Sequence, residues 1–192
     1  MEQKILNIAL PIIKAYEGCQ LKAYLCPAGI WTIGWGQTGK EIKEGVFWTQ
    51  KQADAALKAS VSVFIREVLK LIKVRARPEQ IAALVSFAYN LGTPSLAKST
   101  LLRLFNENKN VEEISSQFLL WSKANNKRLL GLLLRRASEA MVFSGKPFIR
   151  FNSIEEASRY ISIPAELHPT KTSKTEENKI KKSPSKPRVS KK

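Results

Sequence analysis

Residues 49 to 73 constrain the fold more than any other stretch of this chain. Thr49 followed three places later by Gln52 has the form of a capping box. Ala53, Ala56, Leu57, Val61, Phe64, Ile65, Val68, Leu69 and Ile72 then recur at helical spacing. The pattern predicts one amphipathic helix through Lys73, about 24 residues and so about 36 Å long, enough to link two lobes. Arg77-Pro78-Glu79 opens a second helix with Pro78 in its first turn. It carries Ala82, Leu84, Val85, Phe87 and Ala88 and stops at Gly92-Thr93-Pro94. Residues 99–106, 111–122 and 129–143 read as further helices separated by turns rich in Asn and Lys.

The N-terminal part reads differently. A mostly apolar run from Ile5 to Tyr16 predicts a helix, and Gly18 suits the left-handed position just past its end, leaving Glu17 on the last turn. The negative end of the helix dipole and the neighbouring Tyr16 both disfavour an ionised carboxylate there, which suits Glu17 to general-acid work. Leu21 to Leu25 read as a strand, Pro27-Ala28-Gly29 as a turn and Ile30 to Trp35 as a returning strand. In that hairpin the hydroxyl of Thr32 leaves the face opposite to Trp31 and Ile33. Gly34 and Gly36 permit close approach of backbone or ligand.

Glu17, Cys26 and Thr32 thus place an acid, a thiol and a hydroxyl across a helix, a turn and a strand. Splitting a glycosidic bond needs one group that protonates the leaving oxygen and another that activates or replaces water. The three residues supply both. A free thiol with a pKa of about 8.5 is only slightly ionised at neutral pH, so Cys26 acts either as a thiolate base toward water or as a nucleophile. Cys19 reads as a small packed residue near the helix end, and a bridge between it and Cys26 would block the latter.

This window resembles the phage-type lysozymes, or endolysins, of glycoside hydrolase family 24. The family signature is Glu, eight residues, Asp or Cys, five residues, Thr, and the intervals from Glu17 to Cys26 and from Cys26 to Thr32 match it. Ala23-Tyr24, Thr32 to Gly36, Gln80 to Gly92, Ser99 to Leu102, Phe118 with Trp121, and Gly131-Leu132 followed by Arg135, Arg136 and Glu139 are similar to the family's other motifs, in order across residues 5 to 147. Many relatives carry Asp at the position of Cys26 and His at that of Gln37; the second difference is expected to remove a structural hydrogen bond or ion pair. The resemblance implies an α+β, mainly helical, lysozyme-like fold of two lobes. A small antiparallel β-hairpin or sheet lobe (14–48) and a helical lobe (78–147) are joined by the long helix (49–73), with the cleft between them. It also implies that the region of Tyr89 and Asn90 lines a saccharide site. Arg135 and Arg136 would meet the lactyl or peptide carboxylates of peptidoglycan, or pair with Glu139 at the surface; Arg136 is assigned to substrate binding.

Beyond residues 1–147, residues 148–163, with Phe151, Ile154, Ala157, Tyr160 and Ile161, read as one short amphipathic helix that packs on the second lobe or joins the tail. Residues 164–192 are rich in Lys, Ser, Thr and Pro and read as a disordered basic tail. Of the net charge of +16, +6 lies in that tail. A cationic chain is drawn to anionic bacterial wall by attraction that weakens with salt. Expected partners are therefore peptidoglycan and, through the tail, anionic wall polymers; nucleic acid is a weaker candidate, and the tail also serves simply as a solubilising extension.

No stretch reaches the roughly 20 apolar residues that span a bilayer, and a short apolar start interrupted by Pro11 makes a poor signal peptide. The expectation is a monomer without membrane insertion, made in the cytoplasm and acting on the wall after release. The lone His168 and two cysteines suggest no cofactor and no metal site. Three functions follow in order. The first is an endo-acting muramidase cutting between N-acetylmuramic acid and N-acetylglucosamine, with Glu17, Cys26 and Thr32 catalytic and Tyr89, Asn90 and Arg136 holding substrate. The others are a lytic transglycosylase on the same bond and a non-catalytic cationic binder of wall or nucleic acid.

Overall fold

The computed structural model describes residues 1–26 and 28–169. Helix α1 (Glu2–Tyr16) leads into a three-stranded antiparallel sheet of β1 (Gln20–Leu25), β2 (Trp31–Gly34) and β3 (Gln37–Thr38). The expected hairpin has therefore gained a third strand. β2 is central, pairing Thr32 with Tyr24 on one side and Thr38 on the other. The register of β1 shifts between Gln20 and Tyr24, and the irregular stretch also pairs with the chain entering the next helix, through Ala23 N–H to Val46 O at 2.9 Å and Trp48 N–H to Leu21 O at 2.8 Å. Ala23, Ile33 and Ile42 form a small core of their own beneath this sheet, with Trp31, Val46 and Trp48 packed against it.

Helix α2 (Gln50–Leu71) is the long linking element, and its capping box forms: the Thr49 hydroxyl accepts from Gln52 N–H while the Gln52 side chain accepts from Thr49 N–H at 2.8 Å. Helix α3 (Pro78–Leu91) is buried at every residue from Gln80 to Tyr89. A helix so apolar all round has to sit in the centre, and α3 packs against α1, α2 and α7 (Leu130–Phe143). The main core fills the space between these helices, α5 (Thr100–Asn106) and α6 (Val111–Leu119).

The structure departs from sequence expectation in several places. Gly92, at φ +90°, does end α3, but a five-residue helix α4 (Thr93–Ala97) starts at once with Pro94 in its first turn. α6 stops at Leu119 rather than Ser122, because the chain turns into a two-stranded ribbon of β4 (Lys123–Ala124) and β5 (Lys127–Arg128). Asn125 and Asn126, at φ 49° and 62°, close that ribbon with the two left-handed residues that short hairpins favour. Residues 148–163 form no single helix: only α8 (Ile154–Ser158) is helical there, and a 3-10 turn (Ala165–Leu167) follows. The reason is burial. Phe151, Ala157 and Leu167 fill a second core against Leu119, Leu133, Leu134, Ala137 and Met141, and Phe151 and Ala157, six positions apart, would lie on different faces of one straight helix. The expected start of the tail at 164 is thereby corrected, since Leu167 is buried; residues 170–192, where the rest of the tail was expected, lie outside the described residues. Among the described residues no helix is long and apolar enough to cross a membrane.

Candidate functional site

Helix α1 ends at Tyr16, so Glu17 stands one step beyond it in extended backbone (φ −98°, ψ 137°). The expected left-handed Gly18 is not observed: the turn is made instead by Glu17, whose N–H donates to Ile13 O at 2.9 Å. This swings the Glu17 side chain toward α7, where its Oε1 accepts from Arg135 Nη1 at 2.8 Å. The contact joins residues 118 positions apart, and it adds a positive charge that the helix-end argument lacked. The Glu17 side chain is 16% exposed and that of Arg135 only 3%.

The sheet supplies the other groups. Directly opposed residues of an antiparallel pair share a face, so Tyr24, Thr32 and Thr38 form a row across it. Cys26 lies two residues beyond Tyr24, its N–H bonded to Ile30 O at 3.0 Å, which carries the same register into the turn. Thr32 is buried, and its hydroxyl donates to Ile30 O at 3.0 Å. Its lone pairs are left to accept. Tyr24, which the sequence offers as part of a family-like motif without a role in the site, lies between its two halves: burial pushes its phenol pKa up, and Cys26 and Glu17 push it the same way. Cys19 and Cys26 are both free thiols. Cys19 is half-buried against the Gln50 side chain at 3.8 Å rather than packed in an apolar core, and burial raises its pKa.

Behind Glu17 lies a buried charge cluster. Glu139 Oε1 accepts from Ser86 Oγ at 2.7 Å, Arg136 Nη2 at 2.9 Å and Arg135 Nε at 3.2 Å. Burial works against the charge on Arg135, but Glu17 and Glu139 outweigh it and hold the guanidinium above its usual pKa. Burial wins at Arg136, which is brought down to about 10 despite Glu139. The pairing of Arg135 and Arg136 with Glu139 is thus interior, which corrects the surface pairing expected from the sequence. Arg136 is fully buried against the Phe87 ring, 5.0 Å from its centroid, and donates to Asn90 Oδ1 at 3.2 Å. It is a support for Asn90 and offers no surface to a saccharide. Tyr89 is buried too, its hydroxyl donating to Trp35 O at 2.9 Å. Of the three expected substrate contacts, only Asn90 is partly exposed.

Two further networks fix the lobe in place. Asp54 Oδ1 accepts from Lys14 Nζ, Trp35 Nε1 and Gln50 Nε2, each at 2.9 Å, tying α1, the turn after β2 and α2 together. Gln37 accepts from Trp35 N–H at 2.7 Å and donates to the Tyr89 hydroxyl at 3.4 Å. The position expected to have lost a structural bond therefore keeps two. Gly34 is required here: at φ +65°, a Cβ would meet Gln37 Oε1 at 2.6 Å. An open groove of about 470 Å³ between α1 and the end of α7, floored by Ile8, Val142 and Phe148, contains none of the candidate residues. Among the described residues no three His, Cys, Asp or Glu are grouped to hold a metal ion.

The sequence model of the Phage lysozyme family matches residues 14–139, a span that holds every group of this site. The chain belongs to the phage lysozyme family. It is 37% identical to the endolysin of Bacillus phage PZA over 147 residues, covering 75% of this chain and 57% of that protein. It is 34% identical to the endolysin of Bacillus phage B103 over 181 residues, covering 93% of this chain and 64% of that protein. The chain therefore spans less than two thirds of the length of these two relatives. A solved variant of P22 lysozyme superposes with a TM-score of 0.64 at 33% identity, over 71% of this chain and 94% of that one. The phage lysozyme fold, mainly helical with a small N-terminal antiparallel sheet, is thus shared, and the packing of residues 148–169 lies beyond the span that the family model matches.

Proposed function

We propose that this phage lysozyme family member is an endo-acting muramidase that hydrolyses the bond between N-acetylmuramic acid and N-acetylglucosamine in bacterial peptidoglycan, and so lyses cells. The observation that carries the reading is the sheet register, which sets Thr32 opposite Tyr24 and Cys26 two residues beyond Tyr24, together with Glu17 held at the end of α1 by Arg135; Glu17 and Cys26 both act to raise the Tyr24 phenol pKa. The names of the relatives, endolysin and lysozyme, agree with it.

In this reading Glu17, protonated, gives its proton to the glycosidic oxygen as the bond breaks. A water on the opposite face of the sugar attacks the anomeric carbon and loses its proton to Cys26 as thiolate, while Thr32, with its own hydrogen committed to Ile30 O, accepts from that water and orients it. Glu17 is left ionised and Cys26 protonated, and exchange with solvent resets both. Inversion follows if the acid and its partner stand about 6.5 to 9.5 Å apart. Asn90, held by Arg136, contacts the saccharide, and Arg135 orients the acid. Basic residues draw the chain to anionic wall.

A thiol where many relatives carry a carboxylate also favours a second reading, a lytic transglycosylase, which needs one acid/base group and uses a sugar hydroxyl in place of water. Digestion of purified peptidoglycan separates the two. New reducing ends from the wild-type chain are the expected result; anhydro-sugar ends would establish transglycosylation, and no new ends of either kind would leave only a cationic binder.

A further inference from the structure

Buried ions are retained here at a cost. Arg135, Arg136 and Glu139 sit on one face of α7 at the spacing of adjacent helical turns, all in the interior, where apolar side chains of similar volume would commonly serve stability as well. Arg136 Nε and Nη1 and Glu139 Oε2 are buried with no protein hydrogen-bond partner among the described residues. The cluster's link to Glu17 is Arg135, which gives Nε to Glu139 and Nη1 to Glu17 and so stands between two carboxylates, while Arg136 links it to Asn90.

We propose that Glu139 is a positioning residue that, through Arg135, sets the charge balance at Glu17, and that Glu139 and Arg136 together fix the pH range over which the site works. The inference rests on the reading of Glu17 as the general acid. A guanidinium facing Glu17 alone would leave its positive charge unbalanced beside the acid. Glu139 takes a share of that field from the far side, and Arg136 in turn tempers Glu139. The groups that face Glu17 are Arg135 and, further off, Arg136 from α7, and Tyr24 from the sheet, with Cys26 beside Tyr24. Those that face Glu139 are Ser86 from α3, Arg135 and Arg136 from its own helix, and the phenol of Tyr16.

The test is the pH dependence of initial rates on purified peptidoglycan for the full chain and its Glu139→Gln and Arg136→Met variants, with circular dichroism to establish folding. Removing the negative charge should move the alkaline limb to lower pH by about one unit, and removing the positive charge should move it to higher pH by a similar amount. These opposite shifts are independent, so either folded variant decides. Ser86→Ala, which frees Glu139 to act more strongly on Arg135, should shift the limb in the same direction as Arg136→Met. An even loss of rate at all pH values, with the limb unmoved in a folded variant, would reduce Glu139 to a structural role and overturn the proposal. Glu17→Gln in the same assay separates the two levels: full activity there would defeat the reading of Glu17 itself, whereas inactivity there with unmoved limbs defeats only this inference.

Discussion

The hydroxyls of Tyr16 and Ser138 lie 2.7 Å apart, and Ser138 passes its own hydrogen to Ile149 O at 2.6 Å. This chain of bonds runs from the residue next to Glu17, through α7, into the segment beyond the family match. Tyr16→Phe should therefore loosen the approach to the site and cost about 1 kcal/mol of stability, read as a lower denaturant midpoint. Burial raises the Tyr16 pKa above its ordinary 10.0. A raised folded value means that Tyr16's contribution is intact below pH 10 and is lost as pH climbs through the higher value, so Tyr16→Phe should flatten the alkaline fall in stability.

Arg135→Ala removes the one charge that, among the described residues, pairs with both Glu17 and Glu139. Two carboxylates would be left behind, one of them fully buried, and a loss of about 3 to 5 kcal/mol is expected in urea unfolding. Retention of wild-type stability would show that the cluster is better hydrated than its burial implies.

Lys14 chiefly holds the Asp54 carboxyl below its ordinary 3.8, opposed by burial and helped by the Trp35 and Gln50 side chains. The stability this gives is present above pH 3.8 and is lost as pH falls through the lower folded value. Asp54→Asn should therefore lower the melting temperature at neutral pH, lower it less at high salt, and not at all in strong acid. A difference that persists unchanged into acid would place the effect in the unfolded chain or in packing.

Leu167 closes the second core from a 3-10 turn 28 residues beyond the end of the family match. Leu167→Ala should cost about 2 to 5 kcal/mol in thermal or denaturant unfolding, as for other buried leucines. A cost near zero would mean that this segment rests on α7 without stabilising it.

The fold was legible where local rules act alone. The Thr49 capping box, the period of α2 and the Pro78 start of α3 each follow from a few adjacent residues, and the spacing of Glu17, Cys26 and Thr32 lies within a single stretch of chain. What the sequence hid was the partner set. Arg135 reaches Glu17 across 118 positions, and nothing in its own neighbourhood separates a guanidinium that lines a cleft from one that lies beneath it. For the same reason Tyr89 and Arg136 read as ligand contacts and proved to be supports, buried behind Trp35 and Asn90. The segment after 147 reads as one helix because apolar positions 151, 154, 157, 160 and 161 imitate helical spacing, while the demand to reach the α7 surface, which confines the helix to Ile154–Ser158, is tertiary.

The measurement that bears most directly on the account is the rate at which Glu17→Gln releases reducing ends from purified peptidoglycan, set beside a melting curve of the same preparation. The amide keeps the size of the side chain and can still meet Arg135 through its carbonyl, but it has no proton to give. The account predicts a rate lowered by about 10²- to 10⁴-fold with the fold intact. A folded Glu17→Gln variant that cleaves at the wild-type rate would contradict it.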